Sequence, residues 1–280
     1  MSRATTGANP TKTRKRVALI DADGILFAEA CSSEFMVNDG EGPVYLDKQS
    51  PDEAFAHVIQ RFEDLINAVE ADTAILCLTS RTNWRYDVLA TYKANRSNSR
   101  RPPMLATLRD LLQERKPWPV MLVDDLEADD VCGISVGHLE GEQREVIICS
   151  PDKDLRTIPC YLYACRTDSK IERIDEDAAN YHHLFQTLVG DTVDNYTGCP
   201  KIGKVKAAKL LEPFWDEAGE RFDVAGAWEA IVAAFEKVGQ TREYALTQAR
   251  VARILRSEDW DQANRRVRLW EPPVKRESAE

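Results

Sequence analysis

Val146-Ile147-Ile148-Cys149-Ser150-Pro151-Asp152-Lys153-Asp154 is a short apolar run that breaks at Ser-Pro and ends on two carboxylates. A run of this length, closed by a turn signal, reads as a buried strand. Asp152 and Asp154, two apart in extended chain, can face the same way. The same order recurs twice. Val17-Ala18-Leu19-Ile20 runs into Asp21, and the run at 120–123 is followed by Glu127-Ala128-Asp129-Asp130. Further β-rich runs lie at 74–79 and 161–165. Between them, apolar residues at 52–69 recur every three or four positions, and 104–115 and 127–139 are further helical segments. Strands alternating with helices predict an α/β fold with a mostly parallel sheet covered on both faces. Ligands of such sheets bind beyond the carboxyl ends of the strands. Three acid groups distant in sequence are therefore expected on one sheet edge.

A further group, Asp191-Thr192-Val193-Asp194, follows Gly190. Crowded carboxylates repel unless a cation lies between them, and oxygen-only donors suit hard divalent ions such as Mg²⁺ or Mn²⁺. The pattern points to a metal-dependent enzyme acting on phosphate esters. Each cluster alone has a plainer reading. Glu127 to Asp130 could complement a helix dipole, Ser150 to Asp154 could be a simple turn, and Gly190 to Asn195 an ordinary Asx loop.

The net charge of −10 by itself argues against a nucleic-acid partner, but the bases are clustered. Arg81 to Arg101 holds six Arg or Lys against one acid, and Lys201 to Lys209 holds four lysines and no acid. Lys93 and Arg96 are expected on one helical face, with Trp84 and Tyr92 available to stack on bases. Gly198-Cys199-Pro200-Lys201-Ile202-Gly203-Lys204-Val205-Lys206 reads as a glycine-framed loop opening a lysine-bearing helix. Such a loop offers N–H groups to a phosphate.

After about residue 175 only helical patterns remain, at 178–189, 203–212, 225–238 and 243–256. The expected organisation is a disordered basic arm at 1–15, an α/β domain at 16–175, a helical domain at 176–270 and a frayed tail at 271–280. Seven scattered cysteines without a C-x-x-C pair suit a reducing cytoplasm. The four histidines lack metal or triad spacing. There is no signal-peptide pattern and no apolar run of about 18 residues, so no membrane association is expected.

The order of these elements, strand-end Asp, N-W-R…Y-K-A-N-R, E-A-D-D, S-P-D-K-D-L and G-D-x-x-D-N with its glycine loop, resembles the 5′-nucleases of the flap-endonuclease family, particularly the phage 5′→3′ exonucleases. The likeness spans roughly residues 17–270. It implies a PIN-like nuclease domain and a helical domain whose helix–three-turn–helix element binds duplex DNA. It also implies an arch that admits the 5′ strand. The implied metal ligands are Asp21, Glu127, Asp129, Asp130, Asp152, Asp154, Asp191 and Asp194, holding two Mg²⁺ or Mn²⁺. Lys93 and Arg96, with Asp129, Asp130 and Asp152, would carry catalysis. DNA would meet Arg81, Arg85, Tyr92, Lys93, Arg96, Gly198, Lys201, Gly203, Lys204 and Lys206, with room for a K⁺ at the glycine loop. The implied activity is hydrolysis near 5′ ends of duplex, nicked or flapped DNA, extending to RNA in RNA–DNA hybrids, as in phage replication, primer removal and recombination. A host cytoplasm is the implied location. Many members carry an Asp where this chain has Ser80, in Leu78-Thr79-Ser80-Arg81. Asp23 or Asp125 could compensate. The competing readings are a PIN-type ribonuclease, and a DNA-structure-binding protein whose metal site is dead. A phosphatase or kinase fits less well, since no Walker lysine motif occurs.

Overall fold

The computed structural model describes residues 14–38, 40, 42–96, 100–166 and 168–273. The expected basic arm and frayed tail fall largely outside this range. The chain begins with β1 (Arg16–Asp21) and α1 (Ala22–Ser32), then a hairpin of β2 (Glu34–Asn38) and β3 (Pro43–Asp47). Next come α2 (Pro51–Ala68), β4 (Thr73–Leu78), α3 (Arg85–Val88), α4 (Met104–Arg115), β5 (Val120–Leu122), α5 (Ala128–Gly141), β6 (Glu145–Cys149), β7 (Cys160–Tyr163) and β8 (Glu172–Ile174). The helical half is α6 (Glu176–Val189), α7 (Lys204–Leu211), α8 (Val224–Lys237) and α9 (Arg242–Ala252), followed by the small ribbon β9 (Trp260–Asp261) and β10 (Arg266–Val267).

Six strands form one sheet in the order β5-β4-β1-β6-β7-β8, parallel except for β8 at the edge. β1 lies at the centre. The chain builds outward from it to β4 and β5, then crosses through α5 to β6 on its other side, which makes the end of β1 the switch point of the sheet. Strand residues alternate between two cores. Leu19, Cys77 and Ile148 meet α5. Ala18, Ile20, Leu76 and Ile147 meet α1, α2 and α4. Both faces are covered, so the strands read as continuous apolar runs rather than alternating ones.

Local chemistry sets the helix starts. Ser50 caps α2 in a reciprocal pair with Glu53, with Pro51 at the first helical position. Asp175, Asp223 and Thr241 accept otherwise unpaired N–H groups in the first turns of α6, α8 and α9. Helices α6 to α9 close around a third core that includes Leu184, Leu211, Trp228 and Phe235.

Four features differ from the sequence reading. The hairpin β2–β3 and the antiparallel β8 were not expected, because their alternation is too short or too exposed to register. The helix expected to 256 stops at Ala252. Arg253 to Arg256 run extended, and Ile254 and Leu255 pack into the α/β core against α5, not among the helices. Strand pairing also recurs after 175, in β9–β10. No described helix is long and apolar enough to cross a membrane.

Candidate active site

The parallel register brings the strand ends level. Asp21 pairs with Cys77, and Ile20 with Cys149, so Asp21, Ser80 and Ser150 all emerge at one edge. The Ser150 hydroxyl links two acid groups: it donates to Asp21 Oδ2 at 3.1 Å and accepts from the Asp152 N–H at 3.1 Å. Sequence reading treated Ser150 only as a turn residue, although a small hydroxyl directly after a buried strand was a usable signal. Asp152 in turn accepts from the Asp154 N–H at 2.8 Å. Lys153 then bridges Asp154 at 3.0 Å and Asp191 at 3.7 Å.

The other arm of the arc is Glu127 with Asp194. Lys93 sits between them, paired with Glu127 and 3.7 Å from Asp194. Tyr92, 3% exposed, places its hydroxyl 2.8 Å from Glu127 and 3.0 Å from Asp194. Its single proton serves one carboxylate at a time. Arg96 donates to Asp194 at 2.6 Å and to the Val193 carbonyl at 3.2 Å. The two bases do not share a helical face as expected. Lys93 has a left-handed backbone (φ 52°), which breaks the helix before Ala94–Arg96; Lys93 turns inward to Glu127, while Arg96 stays exposed beside Asp194.

Electrostatics mark the cluster. Burial, then the neighbouring Asp23, push Asp21 up to about 6. Asp129 is raised by burial and by Asp130 and Glu127. Burial also raises Asp152, Asp154 and Asp194. Glu127 is the exception: burial opposes its charge, but Arg85 and Lys93 outweigh it and hold the carboxyl at about 2.

The donor set fits hard cations. One oxygen each of Asp129, Asp152 and Asp154 has no hydrogen-bond donor among the described residues. Asp130 is different, although Glu127, Asp129 and Asp130 bring oxygens within 4.8 Å of one another. Asp130 is fully buried and accepts from Arg85 at 2.7 and 2.9 Å, Trp84 Nε1 at 3.0 Å and the Leu255 N–H at 3.0 Å. Its lone pairs are taken, so the expected ligand Asp130 is instead an internal ion-pair partner.

Four expected DNA contacts also change place. Arg85 is 2% exposed and spends its donors inside the protein. Tyr92 and Trp84 are buried on carboxylates and offer no face for a base. Gly198 is buried with φ 62°; its N–H goes to Gln248 at 2.8 Å, and a Cβ there would lie 2.4 Å from the Gly190 nitrogen. It is a packing glycine, not a DNA contact. Gly203, Lys201, Lys204 and Lys206 are exposed around the start of α7, as the glycine-loop reading requires.

A cleft of about 1300 Å³ opens beside the acids. Arg81, Lys93, Arg96, Arg101 and Arg109 line it, with Ser80, Thr79 and Glu127. Arg109 was not singled out from sequence; it pairs with Asp23, which also accepts the Thr79 N–H at 2.7 Å. Asp125 is exposed, with a left-handed backbone, and is not among the residues lining the cleft.

Residues 16–180 match the 5′-3′ exonuclease, N-terminal resolvase-like domain. The chain belongs to the 5′-3′ exonuclease family. It is a nuclease, a phosphodiester hydrolase. An exodeoxyribonuclease of Enterobacteria phage T3 is 28% identical over 283 residues, covering 92% of this chain and 93% of the relative. An exonuclease of Escherichia phage T7 is 27% identical, covering 92% and 94%. The D15 protein of T5, crystallised with metal ions, superposes with a TM-score of 0.64 at 14% identity, over 85% of this chain and 89% of that one. That last likeness establishes the shared PIN-like fold.

Proposed function

We propose that this member of the 5′-3′ exonuclease family is a metal-dependent 5′→3′ exonuclease and flap endonuclease acting at 5′ ends, nicks and flaps of DNA. The observation that carries the reading is the meeting of strand-end acids with Lys93 and Arg96 at the mouth of a basic cleft. Asp21, Glu127, Asp129, Asp152, Asp154, Asp191 and Asp194 would hold two divalent ions, Mg²⁺ or Mn²⁺. Bound there, such ions make water a nucleophile at neutral pH and offset charge on the leaving oxygen.

The chain's own groups do the rest. Lys93 and Arg96 leave their carboxylate partners to meet the scissile phosphate and stabilise the charge that develops on it. Tyr92 keeps one proton available to Glu127 or Asp194, which limits repulsion between them. The cleft residues Arg81, Arg101 and Arg109 track the 5′ strand, and Lys201, Lys204 and Lys206 hold the duplex. A K⁺ would belong to the same Gly198–Gly203 loop, at backbone carbonyls other than that of Lys201, which already accepts from the Lys206 ammonium at 3.0 Å. RNA in an RNA–DNA hybrid is a second substrate, consistent with primer removal in a host cytoplasm.

The test uses a 5′-labelled flap, a nicked duplex, an RNA–DNA hybrid and single-stranded RNA, each digested with Mg²⁺ or Mn²⁺. Cleavage of flap and nick, lost in Asp152→Asn, supports the reading. Cleavage of single-stranded RNA alone would make the protein a ribonuclease, and binding without cleavage a structure-specific DNA binder.

A further inference from the structure

We infer that Arg85 is a positioning residue for Glu127, and that it makes the setting of this carboxylate depend on the docked strip Val251–Leu255. The inference rests on the nuclease reading above.

Arg85 has five N–H donors and all find partners. Nε donates to the Val251 carbonyl at 3.1 Å, and Nη2 to the Arg253 carbonyl at 2.7 Å. Nη1 and Nη2 grip both oxygens of Asp130, and Nη1 also reaches Glu127 Oε2 at 3.1 Å. Each end has a physical reason. Val251 lies in the last turn of α9, where carbonyls lack helical partners and a cation is favoured. Asp130 lies in the first turn of α5, where an anion is favoured. The Arg85–Asp130 pair therefore joins the end of a helix in the helical half to the start of the helix that carries Asp129. Asp130 completes the tie by accepting the Leu255 N–H at 3.0 Å.

Glu127 is the group at stake. Its Oε2 is shared by Arg85 and Tyr92, which leaves its rotamer little freedom. If the strip were undocked, Arg85 would lose two of its acceptors and Glu127 its fixed neighbour. Docking of the helices thus bears on the geometry of the acid arc without any residue of α9 entering it.

Arg85→Lys keeps the charge but cannot reproduce the fork. Lost support of this kind lowers activity by about 10–100-fold. The expected result is a kcat reduced by that factor on nicked duplex, with KM unchanged. Affinity for the same duplex in EDTA should also hold. In the metal-free protein the Leu255 amide, held by Asp130, should exchange hydrogen faster than in wild type. Should Arg85→Lys melt below the assay temperature, Arg85→Met combined with Asp130→Leu removes both charges together; there kcat, KM and duplex affinity are the readouts, since the Leu255 amide has lost its acceptor. Wild-type kcat in a folded variant overturns the inference. So does a loss confined to KM or DNA affinity, or an unchanged Leu255 exchange rate. A wild-type protein inactive on every substrate would instead sink the nuclease reading itself.

Discussion

Replacing Asp130 and Asp129 in turn separates two adjacent carboxylates that look alike in sequence. Asp130 has no exposure and receives the Arg85 fork, the Trp84 indole N–H and the Leu255 amide. Asp130→Asn removes the charge opposite a buried guanidinium and turns one acceptor into a donor facing other donors. Breaking a buried pair from one side costs about 3–5 kcal/mol. That is a large share of the roughly 5–15 kcal/mol that holds a domain folded. For a chain of 280 residues it should lower the melting temperature by roughly 5–9 °C. Asp129→Asn should do the reverse. Burial and its acidic neighbours raise the Asp129 pKa, so its charge is a burden to the metal-free fold. The assay is thermal melting in EDTA, beside cleavage of a nicked duplex with Mg²⁺ at a temperature where both variants are folded. Asp129→Asn should be inactive and at least as stable as wild type. If Asp130→Asn melted like wild type and yet was inactive, Asp130 would be a ligand and the assignment to Arg85 wrong.

Lys93→Met should slow cleavage by about 10²–10³-fold, the usual effect of losing one transition-state charge contact; a matching loss of DNA affinity would make Lys93 only a binding residue. Replacing Lys201, Lys204 and Lys206 together by Ala should weaken duplex binding and flatten its salt dependence by up to about 0.9 in log–log slope per lost phosphate contact. Equal losses on single strands would place these lysines elsewhere. Asp21 supplies a pH test in EDTA. Its folded pKa, about 6, lies above the ordinary 3.8, so the folded state binds more protons, and stability present below about 3.8 is lost as pH rises through 6. Asp21→Asn should therefore be more stable than wild type at pH 7, by up to about 3 kcal/mol, and the gap should close by pH 4. A gap independent of pH would mean that Asp21 does not titrate in this window. Ser80→Asp should raise metal affinity and, in EDTA, lower the melting temperature through like-charge repulsion; no change in either would put position 80 outside the acid arc.

Much of the architecture was legible in the chain. Buried parallel strands need unbroken apolar runs, and the five found in sequence are the five parallel strands of the sheet. The placement of Asp21, Glu127 and Asp152 at one edge followed, because parallel strands share a direction and end together. What the sequence could not decide was orientation within a cluster. Asp129 and Asp130 have the same chemistry one residue apart, yet about 100° of helical rotation leaves one half-buried with a free carboxylate oxygen and sends the other into the core. The partner that settles this, Arg85, is distant in sequence, and a buried arginine reads in sequence like a surface one. Tyr92 reads as a stacking aromatic until its hydroxyl is seen between Glu127 and Asp194. Arg253 to Arg256 continue a helical pattern, but Leu255 binds Asp130 and lies in the α/β core. Local periodicity encodes which residues are buried. Which buried polar groups satisfy one another depends on contacts between segments far apart in the chain, and only the folded arrangement specifies those.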